Sequence, residues 1–308
     1  MASIMTNTSA MTALQSLGST NRQLSITQAR ISTGFRVADA ENNAAYWSIA
    51  TTMRSDNGAL STVKDALGLG AATLDVAYTG LNKAIDVTKE IKNKLVAARQ
   101  PGIDRDKVQT EILELQNQLR SVADSSIFSG ENWLSVDSGQ PNYNASKTIV
   151  ASFSRANGEV TIGTISVDIT TTELIDSDDQ SGILDSEDTT DNGNEDYSIL
   201  SLDISTITDT NDDLQDLEQM ISWVDEGIGK MTTAASNLGA VKQRTNMQKE
   251  FVSSLMDAIS RGIGTLVDAD MNEESTKLQA LQVQQQLGVQ ALSIANQNSQ
   301  QILSLFRG

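Results

Sequence analysis

The sequence predicts a mostly α-helical protein built as a long antiparallel, coiled-coil-like helical hairpin, with both termini helical and paired and a small β-rich, acidic outer region. Three observations support this prediction. Apolar residues recur at heptad spacing on both sides of the middle of the chain, both ends are almost free of charge, and the middle is acidic and contains stretches rich in β-branched residues. A chain with helical ends and a β-rich middle is expected to fold back on itself, with the middle at the tip.

The two ends share an unusual lack of charged side chains. No charged residue occurs in 1–21, and none occurs between Lys277 and Arg307. Apolar residues nevertheless recur every seven positions near the start, and the last thirty residues follow a similar period. A solvated helix normally carries Lys and Glu on its outer face. We therefore expect the two ends to form helices that pack together; the alternative is a pair of unstructured polar tails.

A polar segment with a glycine, 32–45, follows the first helix and is predicted to be a connector. A sustained heptad pattern then runs from Ala44 to about Gln100 and predicts a helix of roughly 80 Å. One apolar row forms the seam of this rod, and a second row contains small residues, such as Gly70, that let a partner helix approach closely. The rod seam contains Leu60, Leu67, Leu74 and Leu81.

The middle of the chain changes from helical to extended patterns. After a second amphipathic helix with Val108 and Val122 on one face, two β-branched runs at 147–153 and 160–167 predict a hairpin with its turn at 156–158. The acidic stretch 171–196 is sparse in apolar residues, so we expect an exposed or mobile loop. A further strand is predicted at 197–204, and helical periodicity resumes at Asp213.

Composition excludes the commonest catalytic machinery. The 308 residues include no cysteine and no histidine, so there is no disulfide, thiol nucleophile, imidazole base or histidine-ligated metal. A stretch from Asp268 begins like a calcium loop, but Glu273 stands where that loop needs glycine and Gln279 where it needs glutamate. We predict that the protein is not an enzyme and has no cofactor.

The net charge of −18 is concentrated in one segment. Residues 137–218 contain nineteen acidic and two basic side chains, a local net charge of −17. Such a segment is expected to face solvent and to repel nucleic acid, which predicts no nucleic-acid partner. No secretory signal and no run of eighteen apolar residues occur, so we predict no membrane insertion. On these signals alone the protein would be cytosolic.

Motifs at both ends resemble those of bacterial flagellin. The N-terminal motif is Arg30-Ile31-Ser32-Thr33-Gly34-Phe35-Arg36-Val37 with Ala44-Ala45 and Ile49-Ala50. The C-terminal motifs are Leu238-Gly239-Ala240-Val241, Asp268-Ala269-Asp270, Glu273-Glu274 and Ala295-Asn296-Gln297. The chain departs from the usual pattern at Phe35 and at Tyr46-Trp47, and these departures and the short middle look like the alphaproteobacterial branch.

The resemblance implies a structural subunit that polymerises into the extracellular flagellar filament for swimming motility. It implies an inner polymerisation domain of 1–43 with 266–308, a rod domain of 44–136 with 209–265, and an outer part of 137–208. The predicted polymerisation interface consists of Leu14, Leu17, Leu24, Ile31, Leu278, Leu281, Leu292, Ala295, Ile302 and Phe306.

The resemblance also implies a set of partners. These are copies of the chain, sister flagellins, the filament cap, hook-associated proteins, an export chaperone and the flagellar type III apparatus, which would secrete the chain unfolded and without a signal peptide. An adaptor at the junction of hook and filament shares the terminal helices and is the alternative function.

Family members that a vertebrate Toll-like receptor senses carry a receptor-binding motif on the rod. By resemblance, its arginine position falls on Glu90, its leucine position on Lys94 and its acidic position on Glu111. A reversed charge and a lysine in an apolar pocket predict weak or absent receptor activation. Alternatively, Glu90 and Lys94 simply form an i,i+4 ion pair on a solvated face.

Overall fold

The computed structural model describes residues 7–156, 158–192 and 196–305, without the side chains of 298–300 and 302–305. This part of the chain is mostly helical, as predicted. Its helices are α1 (Thr8–Thr33), α2 (Ala44–Ala98), α3 (Arg105–Ser125), α4 (Asn211–Val267) and α5 (Met271–Leu305). Its strands are β1 (Ile127–Phe128), β2 (Glu131–Asn132), β3 (Ser135–Val136), β4 (Ser146–Ala156), β5 (Glu159–Asp168), β6 (Ile175–Asp176), β7 (Asp188–Thr189) and β8 (Asp196–Tyr197).

The chain divides into two compact units. One unit, here called the terminal unit, comprises Met1–Gly58 and Met256–Gly308, and the other, the central unit, comprises Ala59–Leu255. The boundary between the two units lies within helix α2, after Gly58, and within helix α4, before Met256. It does not coincide with the end of the connector. The functional domains expected from the family resemblance therefore stay a prediction.

Helices α1 and α5 pair antiparallel in the terminal unit, which confirms that both ends are helical and paired. Near one end of the pair, Asn7 donates its side-chain amide to the carbonyl oxygen of Ala295 at 2.9 Å. Farther along, the Asn21 carboxamide oxygen accepts a 2.8 Å hydrogen bond from Gln285. The side chain of Asn7 also caps α1, because its oxygen accepts the backbone N–H of Ala10.

Helices α2 and α4 run antiparallel in the central unit, with Lys92 paired to Asp225 and Lys64 bonded to Ser253. All four leucines predicted for the rod seam are buried, at 2% exposure or less. Helix α3 adds Ile112 to this core. At Gly70 the close neighbour is Ile149 of strand β4, so the expectation that a helix approaches there is wrong.

The predicted hairpin is confirmed, because β4 and β5 pair antiparallel with a bulge between Val150 and Ser152. The turn residue Asn157 lies outside the described residues. One face of the hairpin is buried, whereas Val160 and Ile162 are exposed on the other. Alternation along a strand explains this division, because successive side chains point to opposite faces.

The expectation of an exposed loop over 171–196 is wrong in part: 177–181 and 187–189 are exposed, but 172–174, 176, 182 and 184 are buried. Strand β6, within this stretch, pairs parallel with β3. Leu174 and Leu184 are fully buried and the acidic Asp176 is 1% exposed. Few apolar residues are enough here because Leu174 and Leu184 are fully buried and Ile175 and Ile183 are half-buried.

The prediction of a strand over 197–204 is also wrong, except for Tyr197. Only Asp196–Tyr197 is extended, paired with β7. The backbone after Tyr197 is hydrogen-bonded to side chains of α3. The Gln116 side chain donates to the carbonyl oxygens of Ile199 and Leu202, at 3.2 and 3.0 Å. Side-chain bonding of this kind satisfies the backbone without a sheet.

Candidate functional site on the terminal helices

The connector between α1 and α2 lies directly against the turn between α4 and α5. The backbone N–H groups of Arg36 and Val37 both donate to the carbonyl oxygen of Val267, at 2.7 and 3.2 Å. In return, Ala269 N–H donates to the carbonyl oxygen of Gly34 at 2.9 Å. Two motifs that lie more than two hundred residues apart in the sequence are thus joined by backbone hydrogen bonds.

Gly34 ends helix α1 and makes this junction possible. It adopts φ 76°, a left-handed conformation that residues with a Cβ rarely take, and its N–H donates to Arg30. A small apolar cluster lies under the junction and is formed by Val37, Ala50, Ile263 and Val267, with Trp47, Met53, Ile259 and Leu266 packed against it.

An ion pair fixes α1 against α5 close to the junction. Arg30 Nη1 lies 2.8 Å from Glu274 Oε1, and the Glu274 side chain is only 7% exposed. Its second oxygen, Oε2, is buried without a hydrogen-bond partner. A buried carboxylate depends strongly on its counter-ion, so this pair favours one register of the two helices.

Most of the residues predicted to form the polymerisation interface lie along the contact between α1 and α5. A Cβ atom placed on Gly288 would lie 3.1 Å from Leu17 Cδ1, so Gly288 and Leu17 face each other across the helix pair. Leu281 is buried, and the following are half-buried: Leu17, Leu24, Ile31, Leu278, Leu292 and Ala295. Leu14 differs, since it is 61% exposed. Phe306 and the side chain of Ile302 lie outside the described residues.

A second set of apolar side chains points away from this seam. Each member is at least half exposed, and we call the set the outward surface: Met11, Leu14, Ile26, Val283, Leu287, Val289 and Ile294. Sequence reasoning found only Leu14 among these. A sequence signal for them existed, because all the others are apolar residues that lie off the heptad rows of helices with few charged residues.

The three receptor-related positions lie close together on α2 and α3. Lys94 forms an ion pair with Glu111, and Glu90 is exposed nearby. Among the ion pairs of the described residues, Lys94 of α2 pairs with Glu111 of α3. The i,i+4 pair with Glu90 that was the alternative expectation is not among the described ion pairs. The three side chains line one groove of about 550 Å³ together with Glu114.

Within residues 7–156, 158–192 and 196–305, no three acidic, histidine or cysteine side chains are positioned to hold a metal ion. No helix in the same ranges is both long and apolar enough to cross a membrane.

Paired helical ends with exposed apolar side chains and few charges are typical of structural subunits that assemble with their own copies. Comparison with known proteins gives the family. Residues 4–138 match the model of the bacterial flagellin N-terminal helical region, and residues 221–306 match that of the C-terminal helical region. The chain belongs to the bacterial flagellin family.

Full-length relatives agree with this assignment. Flagellin C of Rhizobium meliloti strain 1021 is 51% identical, Flagellin of Brucella melitensis is 44% identical and Flagellin A of Rhizobium meliloti strain 1021 is 40% identical, each over 100% of both chains. The crystal structure of Bacillus cereus flagellin aligns with a TM-score of 0.39 at 17% identity, covering 62% of this chain and 88% of its own. The protein is thus a structural subunit of the flagellar filament and not an enzyme, and no finding supports the adaptor alternative.

Proposed function

We propose that the outward surface of α1 and α5 is the contact through which subunits polymerise into the filament. The observation that carries this proposal is the set of seven apolar side chains that are each at least half exposed. Six of them, all except Ile26, lie in the uncharged ranges 8–21 and 278–305. Exposed apolar surface of this kind marks an interaction site in soluble proteins. A head-to-tail interface that does not close on itself generates a helical polymer.

Burial of this surface supplies a favourable free energy for assembly. Fully burying one large apolar side chain is worth about 1.5–3 kcal/mol, so seven half-exposed ones contribute on the order of 5–10 kcal/mol per subunit before the cost of association. Over 8–21 and 278–305, where six of the seven side chains lie, no charged side chain needs to be desolvated on assembly.

The predicted interface residues then divide into two roles. Leu17, Leu281 and their neighbours on the seam hold α1 to α5, whereas Leu14 contacts other subunits. Residues 1–43 with 266–308 accordingly form the inner polymerisation domain, 44–136 with 209–265 the rod, and 137–208 the outer part.

The remaining partners follow from assembly outside the cell. We infer that the chain is exported unfolded through the flagellar type III apparatus with a chaperone, and that it meets the filament cap, hook-associated proteins and sister flagellins. The absence of cysteine and the presence of only two prolines support passage through a narrow channel, because neither cross-links nor slow proline isomerisation then hinder the unfolded chain.

Seeded polymerisation of purified Leu14→Glu tests the proposed interface. The added carboxylate would be buried without a partner in every contact, so we expect filament formation to be lost while the helix content of the monomer is unchanged. Ile162→Glu is the matched control, because Ile162 is similarly exposed, at 62%, but lies on the hairpin of the outer part. Normal filaments from Leu14→Glu would remove this residue from the interface.

We also propose that the chain activates the flagellin-sensing Toll-like receptor weakly or not at all. Glu90 reverses the expected charge, and Lys94 is engaged by Glu111, so binding would require desolvating the lysine and breaking that ion pair. The double variant Glu90→Arg with Lys94→Leu should raise activation in receptor reporter cells. Glu114→Gln, in the same groove, is the control and should leave the low response unchanged. Strong activation by the unmodified monomer would contradict the proposal.

A further inference from the structure

Several carboxyl groups lie close together inside the central unit, around strand β6. Glu173 and Asp176 are 4% and 1% exposed, and Asp185 is half-buried. Asp176 and Asp185 are joined directly, because the backbone N–H of Asp176 donates to Asp185 Oδ2 at 2.7 Å. We call Glu173, Asp176 and Asp185 the carboxyl cluster.

The hydrogen bonds of the cluster are incomplete. Asp176 Oδ1 accepts the backbone N–H groups of Ser138 and Asp178, each at 3.0 Å, and Glu173 Oε2 accepts the hydroxyl of Tyr143 at 3.0 Å. By contrast, Asp176 Oδ2 and Asp185 Oδ1 are buried without a hydrogen-bond partner. Buried acceptor atoms in folded proteins normally accept at least one hydrogen bond, so these two oxygens are exceptions.

No basic side chain compensates the cluster. Among the ion pairs of the described residues, none involves Glu173, Asp176 or Asp185. Arg120 lines the pocket that Asp176 and Asp185 border, but its Nη2 donates to the carbonyl oxygen of Leu200. The other groups around that pocket and the cluster add negative charge: Asp124, Asp178, Asp179 and Glu187.

Two members of the cluster have a raised pKa. Burial raises the pKa of Glu173 above its ordinary 4.5, and the negative charges of Asp176, Asp179 and Asp185 raise it further. Burial also raises the pKa of Asp185 above 3.8. The backbone N–H of Asp176 acts to lower this pKa and the charge of Asp176 acts to raise it, but burial has the largest effect. Asp176 opposes this trend: burial acts to raise its pKa, but the N–H donors from Ser138 and Asp178 outweigh burial and hold it low.

We propose that the carboxyl cluster is a proton-binding site, at which Glu173 and Asp185 take up protons beside an Asp176 that stays ionised, and that this uptake stabilises the outer region in mildly acidic medium. A protonated carboxyl supplies the missing donor, and it removes one of two repelling charges. No three acidic groups of the described residues are placed for a metal ion, so the proton is the cation that fits the geometry.

The direction of the effect follows from linkage. A carboxyl whose pKa is higher in the folded than in the unfolded chain contributes stability at low pH, and this stability is lost as the pH rises through the folded-state pKa. Glu173 and Asp185 therefore favour the folded outer region more at about pH 5 than at about pH 7.5. Asp176 has the opposite tendency, but its contribution to stability is lost only as the pH falls below its ordinary value of 3.8 towards its lowered pKa, outside the range compared.

Thermal unfolding of the full-length monomer at about pH 5 and about pH 7.5 tests the proposal. Glu173→Gln and Asp185→Asn resemble the protonated groups, so each should raise the unfolding temperature at the higher pH by roughly 2–4 °C and reduce its dependence on pH. Glu159→Gln is the control, because Glu159 is an exposed carboxylate of the neighbouring hairpin, and it should keep the wild-type pH dependence.

Two results would overturn the proposal. One is that both variants lower the unfolding temperature at the higher pH and keep the full pH dependence. The other is that added calcium at about pH 7.5 stabilises the wild type as much as acid does, which would make the site a metal site.

Discussion

Gly70 on helix α2 has almost no room for a side chain. A Cβ placed there would lie 2.5 Å from Cγ2 and 2.9 Å from Cδ1 of Ile149, which is itself only 6% exposed. The glycine therefore allows strand β4 to pack directly on the helix. The cost in helix propensity, about 1 kcal/mol relative to alanine, is offset by this close contact.

Gly70→Ala should lower the free energy of unfolding of the protein by about 1–3 kcal/mol, because overpacking outweighs the gain in helix propensity. Urea unfolding followed by circular dichroism measures the change. Gly58→Ala is the matched control on the same helix, since nothing lies within 4 Å of its Cβ position. That variant should be stabilised by about 0.5–1 kcal/mol. Equal effects at the two positions would show that Ile149 simply moves away.

Helices α1 and α5 hold each other less firmly than the helices of the central unit do. Along their described contact only Thr27, Glu274 and Leu281 are buried, whereas Leu67 and Leu74 on α2 are completely buried. Elements with few buried apolar side chains open at low free-energy cost. The α1–α5 pair is thus the element that an assembly contact can stabilise most.

Limited proteolysis of the monomer should accordingly remove residues 1–43 and 266–308 first and leave a core that does not polymerise. Glu274→Ala should accelerate this cleavage, because it removes the ion pair with Arg30, the only one that joins the described residues of α1 and α5. Glu273→Ala, at an exposed neighbouring carboxylate, is the control. Ends that resist protease as well as the central unit does would contradict this ranking of stabilities.

The sequence predicted the elements that local pattern determines. The paired terminal helices follow from heptad spacing, and the hairpin follows from two β-branched runs separated by a short turn that ends in Gly158. The burial of part of 171–196 was missed because it depends on the distant strand β3 and on buried carboxyl groups, which composition alone assigns to the surface.

The candidate site was predicted in part. Heptad spacing identified the seam, but a period cannot tell whether a second apolar face is covered by the same chain or by another copy. Arg30 and Glu274 were known only as members of two motifs, and their pairing required the three-dimensional contact.

Charge is distributed across the whole molecule according to role. Residues 137–218 hold −17 of the net −18, so the remaining residues are close to neutral. The proposed assembly through the nearly neutral ends would avoid repulsion between copies at the contact, whereas the acidic middle would repel neighbouring copies and other anions. This separation supports an arrangement with the terminal helices inside the filament and the acidic part outside.

Thiol labelling in monomer and filament tests the assembly contact most directly, because the chain has no cysteine of its own. We expect single cysteines at Leu14→Cys and Ile294→Cys to react readily with a maleimide in the monomer, where both positions are about 60% exposed, and to be strongly protected after polymerisation. Ile162→Cys on the hairpin should react equally in both states. Equal reactivity of the Leu14→Cys and Ile294→Cys thiols in monomer and filament would contradict the account, since the outward surface would then not be the contact between subunits.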